Sequence, residues 1–314
     1  MKHKFGIERM ERVNDNDCIN LQENKIIAES CQLEWKNSEI LFEGKGNVVY
    51  FSGKKNEVIH LQNTRIKCIG DNNLIFVCSS RFPLKAVITV GYGCTIYIGK
   101  KFYSTIPVYL MANECSYIHI GKDNLFARDI WLRTSDMHMI YDIDTGKRIN
   151  KNRSIYIGEH VWIGQNVSCL KGAVIGNGSV IGNGSLVTGE KTMEVNTIYA
   201  GHPAKPIRKG IVWKWKGCNQ VTEEEFLNDV YGSIEEISNV YLDEEMKKQY
   251  KLFDAEMSMH KKTMDERIEF LKQYSVSAPF SDNKRKIKEK QEKENKQENI
   301  FYKLFLKIKR KFVV

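Results

Sequence analysis

A six-residue periodicity between residues 155 and 188 constrains the fold of this chain more than any other feature. Its first series is aliphatic or small and apolar, at Ile157, Ile163, Cys169, Ile175, Ile181 and Val187. A second series of small or branched residues follows four positions later, at Val161, Val167, Ala173, Ser179 and Ser185. The apolar face of a helix returns every three to four residues, so this period indicates a short strand plus a corner, repeated. Three such units make one triangular coil, and successive coils stack at roughly 4.8 Å.

Strand alternation then fixes which side chains point out of the coil. The outward set is Tyr156, Trp162, Ser168, Val174, Val180 and Leu186. Outward positions of an isolated solenoid should be polar, but five of these six are apolar. The simplest cover is packing against further copies of the same chain, so we expect a homotrimer that buries them.

Composition and charge limit the location and the kinds of binding partner that we expect for this chain. The chain has 314 residues and eight cysteines without paired metal-type spacing, and its start lacks the apolar core of a signal peptide. It also has no run of 18 apolar residues, so we expect a cytoplasmic protein. The net charge is +9, but residues 284–314 contribute +8 of it, from twelve Lys or Arg and four Glu. A basic tail, rather than a basic domain, gives no indication of nucleic-acid binding.

The changing pattern predicts four regions. Short β runs at longer intervals indicate irregular β coils or a capping β region over 1–90, followed by the β-helix core over 91–209 with a polar insertion at 140–154. Residues 210–280 are predicted to be helical as far as about Tyr274, with Thr222 and Glu225 forming a capping box. Residues 281–314 are predicted to be a basic linker and an amphipathic helix. The apolar face of that helix is Phe301, Leu304, Phe305, Ile308 and Phe312.

Three histidines fall in the coil region and are the first candidates for chemistry. His119 occupies an outward slot and His160 a corner, so we expect ordinary surface residues and no metal, because zinc needs converging imidazoles. His138 lies where the repeat register breaks, just before the insertion, and such loops form clefts on solenoids. From spacing alone, His138 is either a functional residue or a polar histidine in a surface loop.

Several motifs carry a family resemblance from about Ile98 to Arg208. They are "TSDMHMI", "IYIGEHVWIG", "VIGNGSVIGNGSLVT" and "IYAGHPAKPIRK", with His138 and Trp162 24 residues apart. This run resembles the left-handed β-helix acyltransferases, especially sugar and capsular polysaccharide O-acetyltransferases. The resemblance implies a mainly β fold, a left-handed parallel β-helix of hexapeptide repeats, here with irregular N-terminal β coils and a C-terminal helical extension.

The resemblance also implies a mechanism and the residues that perform it. His138 would be the general base that takes the proton of a sugar hydroxyl as it attacks acetyl-CoA. Asp136 would orient it, or instead cap a turn. The backbone amide of Gln165 would stabilise the oxyanion. Trp162 would line the cleft in a neighbouring subunit's groove, a role that can coexist with interface packing.

Binding residues follow from the same resemblance. Those implied for the pantetheine and nucleotide phosphates of CoA are Asn183, Ser185, Thr188, Lys191, Lys205 and Arg208. Lys191 stands in for a family lysine at the position of Gly189. Lys205 and Arg208 would supply positive charge, or form a solvated basic segment. The acceptor would lie near Asn113, Glu114 and Arg133.

Three functions remain open at this stage. The first is an acetyl-CoA-dependent O-acetyltransferase acting on a capsular or other surface polysaccharide or its precursor. The alternatives are an N-acyltransferase acting on a nucleotide-linked amino sugar and a non-catalytic solenoid scaffold. The basic helix at the C-terminus would contact an anionic membrane surface peripherally, or dock on the protein itself.

Overall fold

The computed structural model describes residues 11–13, 23–228, 241–257 and 262–276. The predicted tail helix, residues 301–312, lies outside the described residues. Three sheets of short strands wrap around one apolar interior, and three helices follow. Within the described residues, no helix is long and apolar enough to cross a membrane.

The strands fall into three sheets, named A, B and C here. Sheet A contains β1 (Glu11–Val13), β3 (Glu39–Phe42), β5 (Arg65–Cys68), β7 (Ala86–Val90), β10 (Val108–Ala112), β13 (Trp131–Arg133), β16 (Ser168–Cys169) and β19 (Leu186–Val187). Sheet B contains β2 (Lys25–Lys36), β4 (Val48–Gln62), β6 (Leu74–Cys78), β8 (Thr95–Ile98), β11 (Tyr117–Ile120), β14 (Ile155–Ile157) and β17 (Val174–Ile175). Sheet C contains β9 (Tyr103–Ser104), β12 (Leu125–Phe126), β15 (Trp162–Ile163), β18 (Val180–Ile181), β20 (Thr197–Gly201) and β21 (Ala204–Lys209).

The register between strands gives the length of each coil. In the regular part, Tyr156 pairs with Val174, 18 residues on, as the repeat predicts. The coil before the insertion advances by 22, from Tyr97 to His119. The next advances by 37, from His119 to Tyr156, a difference of 15 that equals the length of the insertion 140–154. The extra residues therefore leave the coil at one corner and return to it in register.

Among the strands named here, pairing is parallel except where β1 meets β3 and β20 meets β21, and the insertion holds one isolated antiparallel bridge, between Tyr141 and Arg148. The mainly β solenoid and C-terminal helices confirm the fold class expected from the sequence. Sheets A and B run without interruption through residue 90, because β5 pairs with β7 and β6 with β8. The four-region division of the chain remains a prediction.

The inward series fills the interior as the sequence predicts. Ile157, Ile163, Ile175 and Ile181 are fully buried and share one hydrophobic cluster with the earlier coils. The Asn-Gly corners at 177–178 and 183–184 turn through the left-handed region, with φ of 68° at both glycines, a conformation that costs glycine least. Repeat and corner chemistry thus act together to close each coil.

Two helices cover the outer face of sheet B, α2 (Asp243–Met257) and α3 (Met264–Val276). Phe253 and Leu271 are fully buried against the outward side chains of sheet B, including Tyr156 and Val174. The expectation that copies of the chain cover Tyr156 and Val174 was therefore wrong for this face. The chain covers it with its own C-terminal segment.

The first helix begins where the sequence places it. The hydroxyl of Thr222 accepts a hydrogen bond from the amide of Glu225, and the Glu225 carboxylate accepts one from the Thr222 amide. This reciprocal pair is the predicted capping box, and it opens α1 (Glu223–Asn228).

Candidate functional site

His138 lies on the insertion loop that joins β13 of sheet A to β14 of sheet B, and its side chain is exposed. The buried amide of Asn150 holds this loop in place. Its Nδ2 donates to the backbone oxygen of His138 at 2.7 Å, and its Oδ1 accepts from the amide of Ile140 at 2.8 Å. The His138 carbonyl and the Ile140 amide are thus tied to one side chain that is only 7% exposed.

Asp136 interacts with Lys171 and Asn150. Its Oδ2 accepts a hydrogen bond from Asn150 Nδ2 at 3.0 Å and forms an ion pair with Lys171. The ammonium of Lys171 lowers the pKa of the Asp136 carboxyl. In the described residues no hydrogen bond joins Asp136 to the His138 imidazole, so its visible role is to brace the loop.

Two acceptor candidates lie at the same corner, one coil earlier. Asn113 Nδ2 is 3.3 Å from Ser135 Oγ, directly ahead of the His138 segment. Glu114 accepts two hydrogen bonds from Arg148 of the insertion, at 2.9 and 2.8 Å. The fold therefore brings Asn113 and Glu114 to the loop that carries His138, although His138 is 25 positions after Asn113 in the sequence.

Arg133, the third acceptor candidate, belongs to the outer face of sheet A. It ends β13, and its guanidinium lies 5.5 Å from the ring centroid of Trp131 and 3.7 Å from the sulfur of Met111. The backbone of Arg133 leads into the corner, but its side chain packs along the outer face of sheet A.

Trp162 and Gln165 lie on another part of the coil. Trp162 faces outward from β15 in sheet C with 41% of its surface exposed. The backbone amide of Gln165, at the following corner, donates to Asn183 Oδ1 at 2.8 Å. That amide is therefore already hydrogen-bonded in this structure, which opposes the oxyanion role expected for it. The matching bond from the Glu159 amide to Asn177 Oδ1, at 2.9 Å, shows that such asparagines link successive coils.

The topology separates the two groups of site residues. His138, Asn113 and Glu114 lie at the corner between sheets A and B, whereas Trp162 lies on sheet C. In a three-sided coil, each corner lies opposite the third side. Within one chain, His138 and Trp162 therefore lie on different parts of the coil.

The residues expected to bind CoA divide into exposed and buried groups. Ser185 is 1% exposed, and its hydroxyl donates to the oxygen of Gly182 at 2.7 Å, so its side chain serves the interior. Lys205 and Arg208 are exposed on β21, which pairs antiparallel with β20 at the edge of sheet C. Thr188 and Lys191 follow the last strand of sheet A, half-buried and exposed respectively.

The other two coil histidines are buried, which corrects their expected place on the surface. His119 stacks on Tyr156 at 4.2 Å between ring centroids and lies under Phe253, and burial lowers its pKa to about 3. His160 is 1% exposed, with Nδ1 2.7 Å from Asp123 Oδ2 and Nε2 3.1 Å from the backbone oxygen of Trp213. Both imidazoles are covered by segments from beyond residue 210, which the coil pattern does not place.

Sequence reasoning missed Asn150 and Lys171, which brace the His138 loop. Their spacing carries no signal, because the insertion folds back over the corner and only the fold brings position 150 beside 138. Within the described residues, no cluster of three or more His, Cys, Asp or Glu could hold a metal ion.

Three mainly parallel sheets, with six-residue units over residues 155–188, define a hexapeptide-repeat β-solenoid. Residues 154–189 match the family model described as bacterial transferase hexapeptide (six repeats). Residues 154–189 therefore carry the hexapeptide repeat of that family.

Three matches to known proteins cover parts of this chain. A polysialic acid O-acetyltransferase from Escherichia coli O1:K1 / APEC is 39% identical over 130 residues, covering 41% of this chain and 41% of that protein. A polysialic acid O-acetyltransferase from Neisseria meningitidis is 33% identical over 118 residues, covering 38% of this chain and 53% of that protein. The crystal structure of the polySia-specific acetyltransferase NeuO has 31% identity, covers 67% of this chain and 90% of that one, and gives a TM-score of 0.46. The chain thus spans about half the length, or less, of the two curated relatives from Escherichia coli and Neisseria meningitidis.

Proposed function

We propose that this protein is an acetyl-CoA-dependent O-acetyltransferase that modifies a hydroxyl of an acidic surface polysaccharide. The observation that carries the proposal is the His138 corner. The exposed histidine stands on a loop braced by a buried asparagine, and Asn113 and Glu114 hydrogen-bond to Ser135 and Arg148 of the same loop. The two relatives, which are polysialic acid O-acetyltransferases, support the reaction and the acceptor class.

In the proposed reaction, His138 takes the proton of the acceptor hydroxyl as its oxygen attacks the thioester carbon of acetyl-CoA. A new C–O bond forms and the carbonyl becomes a tetrahedral oxyanion. Collapse breaks the C–S bond, and the imidazolium returns its proton to the departing thiolate of CoA. The amide of Gln165 can stabilise the oxyanion only if its bond to Asn183 opens, so the oxyanion donor stays unassigned.

The separation of His138 from Trp162 supports a homotrimer with sites between copies. The corner loop of one copy would meet sheet C of the next, where Trp162 and Val180 form adjacent outward positions. Trp162 would then form one wall of the acceptor cleft. Exposed Lys205 and Arg208, with Lys191, would meet the phosphates of CoA. The cytoplasmic location and membrane contact through the tail remain predictions.

The direct test is acetyl transfer from acetyl-CoA to polysialic acid. His138→Ala should lower turnover by roughly 10²–10⁴, the usual worth of a positioned general base. Its melting temperature should stay unchanged, because the side chain is exposed. His60→Ala is the matched control, since this exposed histidine pairs only with Glu34 on β2, far from the corner along the chain.

The product distinguishes the alternatives. Mild base releases acetate from an O-acetyl ester but not from an amide, so a base-stable product on an amino sugar would favour the N-acyltransferase. Absence of turnover with any acceptor would favour the scaffold. Near-normal turnover by His138→Ala would reject the assigned base.

A further inference from the structure

Five aromatic side chains form a continuous path over the outer side of sheet C, the aromatic row. Its members are Phe82, Tyr103, Trp215, Trp213 and Trp162. Phe82 stacks on Trp215 at 5.6 Å, Trp215 lies 5.8 Å from Trp213, and Trp213 lies 6.1 Å from Trp162. All but Trp213 are half-buried or exposed in the described residues, so part of the surface of the row is accessible.

Buried polar groups hold the rings of the row in place. Trp215 Nε1 donates to Asp123 Oδ1 at 3.1 Å, and Trp213 Nε1 donates to the backbone oxygen of His160 at 2.8 Å. His160 joins the two contacts, because its Nδ1 meets Asp123 and its ring stacks on Trp213 at 4.0 Å. Residues 213–215 therefore form a strap fixed at both indoles, so the half-buried ring of Trp215 is preorganised rather than free to collapse.

The row has a direction relative to the proposed site. Tyr103, Leu125 and Trp162 occupy the same outward register on three successive coils of sheet C. From Trp162 the row leads toward the earlier coils. In the opposite direction the same register continues as aliphatic Val180 and Ile198. The aromatic half of this face thus begins at the residue assigned to the acceptor cleft and extends away from β21.

Cations accompany the row. The guanidinium of Arg81 lies 4.7 Å from the ring centroid of Phe82. Lys101 is exposed two residues before Tyr103, and Lys214 is exposed between the two strap tryptophans. The carboxylate bonded within the row, Asp123, is engaged by His160 and Trp215. An occupant would therefore meet flat apolar surfaces flanked by positive charge.

We infer that the aromatic row binds the acidic polysaccharide chain beyond the unit that is acetylated. Ring faces suit the apolar C–H faces of successive sugars, and the cations suit carboxylates spaced along such a chain. The inference rests on the proposed function, since it places the reacting unit at Trp162. The other candidate occupant is a second copy of this chain, which the cations favour less than an acidic polymer.

A chain-length series tests the inference. Trp215→Ala and Arg81→Gln should each raise the KM for long polysialic acid by about tenfold, equal to about 1.4 kcal/mol, and leave kcat unchanged. The KM for the shortest acceptor that reacts should not change, because it reaches only the corner site. Added salt should raise the long-chain KM of the wild type more than that of Arg81→Gln.

Two controls keep the outcomes distinct. Tyr109→Ala removes a half-buried aromatic residue from sheet A, where Tyr109 stacks on Trp131 at 4.0 Å, and should leave both KM values unchanged. Trp215→Phe should retain most of the long-chain affinity. Equal KM changes for short and long acceptors, or a changed oligomer mass in Trp215→Ala, would overturn the inference, the latter in favour of a second copy.

Direct binding separates this inference from the proposed function. Titrating long polysialic acid into the His138→Ala protein measures the affinity of the aromatic row for the polymer in the absence of turnover. Saturable binding that weakens in the His138→Ala/Trp215→Ala double variant supports the row even if acetyl transfer fails. If Trp215→Ala leaves this binding unchanged, the inference that the aromatic row binds the polymer is overturned even if acetyl transfer succeeds.

Discussion

Sheets B and C both carry aromatic side chains on their outer faces, but among the described residues helices seal sheet B and not sheet C. On sheet B, Tyr97, His119 and Tyr156 stack along successive coils under Phe253. On sheet C, Tyr103 and Trp162 stay accessible beside a short strap. The repeat alone produces both columns, so an outward aromatic residue does not by itself mark an interface between copies. The difference comes from the segment after the solenoid, which adds helices to one face and a strap to the other.

The largest expected effect tests the seal on sheet B. Phe253 is fully buried and contacts rings from several coils, including Tyr97, His119 and Tyr117. Phe253→Ala should therefore lower the free energy of unfolding by about 3–5 kcal/mol, measured by urea denaturation. Phe226→Ala is the control, because Phe226 is 73% exposed on α1 and should change stability by about 0.5 kcal/mol at most. Equal losses in the two variants would show that the helices do not seal sheet B.

The next effect concerns the open face. Val180 is half-buried next to Trp162 on sheet C, where we expect a neighbouring copy. Val180→Asp would place an unpaired charge in that contact and should convert a trimeric mass to a monomeric one in light scattering at micromolar concentration. Val276→Asp, at an exposed position on α3, should keep the wild-type mass. A wild-type protein that is already monomeric would refute the trimer.

The buried histidine of sheet B, His119, should make the stability of the protein depend on pH under acidic conditions. Its pKa is about 3 in the folded chain, against an ordinary 6.5, because burial favours the neutral ring. The unfolded chain binds a proton that the folded chain does not, so stability should fall as the pH drops from 6.5 toward 3. His119→Phe keeps a ring between Tyr97 and Tyr156 and should lose less melting temperature between pH 7 and pH 4 than the wild type. His60→Ala should retain the wild-type slope.

The smallest expected effect concerns Glu159, for which stability falls as the pH rises rather than as it drops. Burial raises the pKa of Glu159 to about 7, although Lys122 lies 3.5 Å away. The folded chain then holds a proton that the unfolded chain releases, so Glu159 costs stability as the pH rises from about 4.5 through 7. Glu159→Gln should gain melting temperature over the wild type at pH 8 by a few degrees, and show little difference at pH 4. A constant offset at both pH values would mean that Glu159 ionises normally in the folded chain.

The coil was predictable from sequence because its determinants are local. A period of six, inward Ile157 and Ile163, and glycines at the corners suffice to define strands, corners and register. The capping box at Thr222 was predictable for the same reason. His138 could be singled out because the register breaks beside it.

The burial of His119 and His160 was not predictable from the repeat. Each is covered by residues more than 50 positions away, Tyr274 for His119 and Trp213 for His160. The hydrogen bond that engages the Gln165 amide was equally unpredictable, because it depends on the Asn183 side chain turning toward the previous coil. These features arise from packing between coils and later segments, where spacing carries no information.

The hairpin of β20 and β21 ends the stack of sheet C and limits self-association along the solenoid axis. A parallel coil leaves a row of unpaired amides and carbonyls at its last turn, ready to accept another strand. Here the outermost strand runs antiparallel and bears Lys205, Pro206, Arg208 and Lys209, with a register shift between Ile198 and Tyr199. Proline cannot donate to an incoming strand, and the adjoining charges repel a like edge. Molecules of this shape can therefore remain discrete particles at high concentration instead of joining end to end into fibrils.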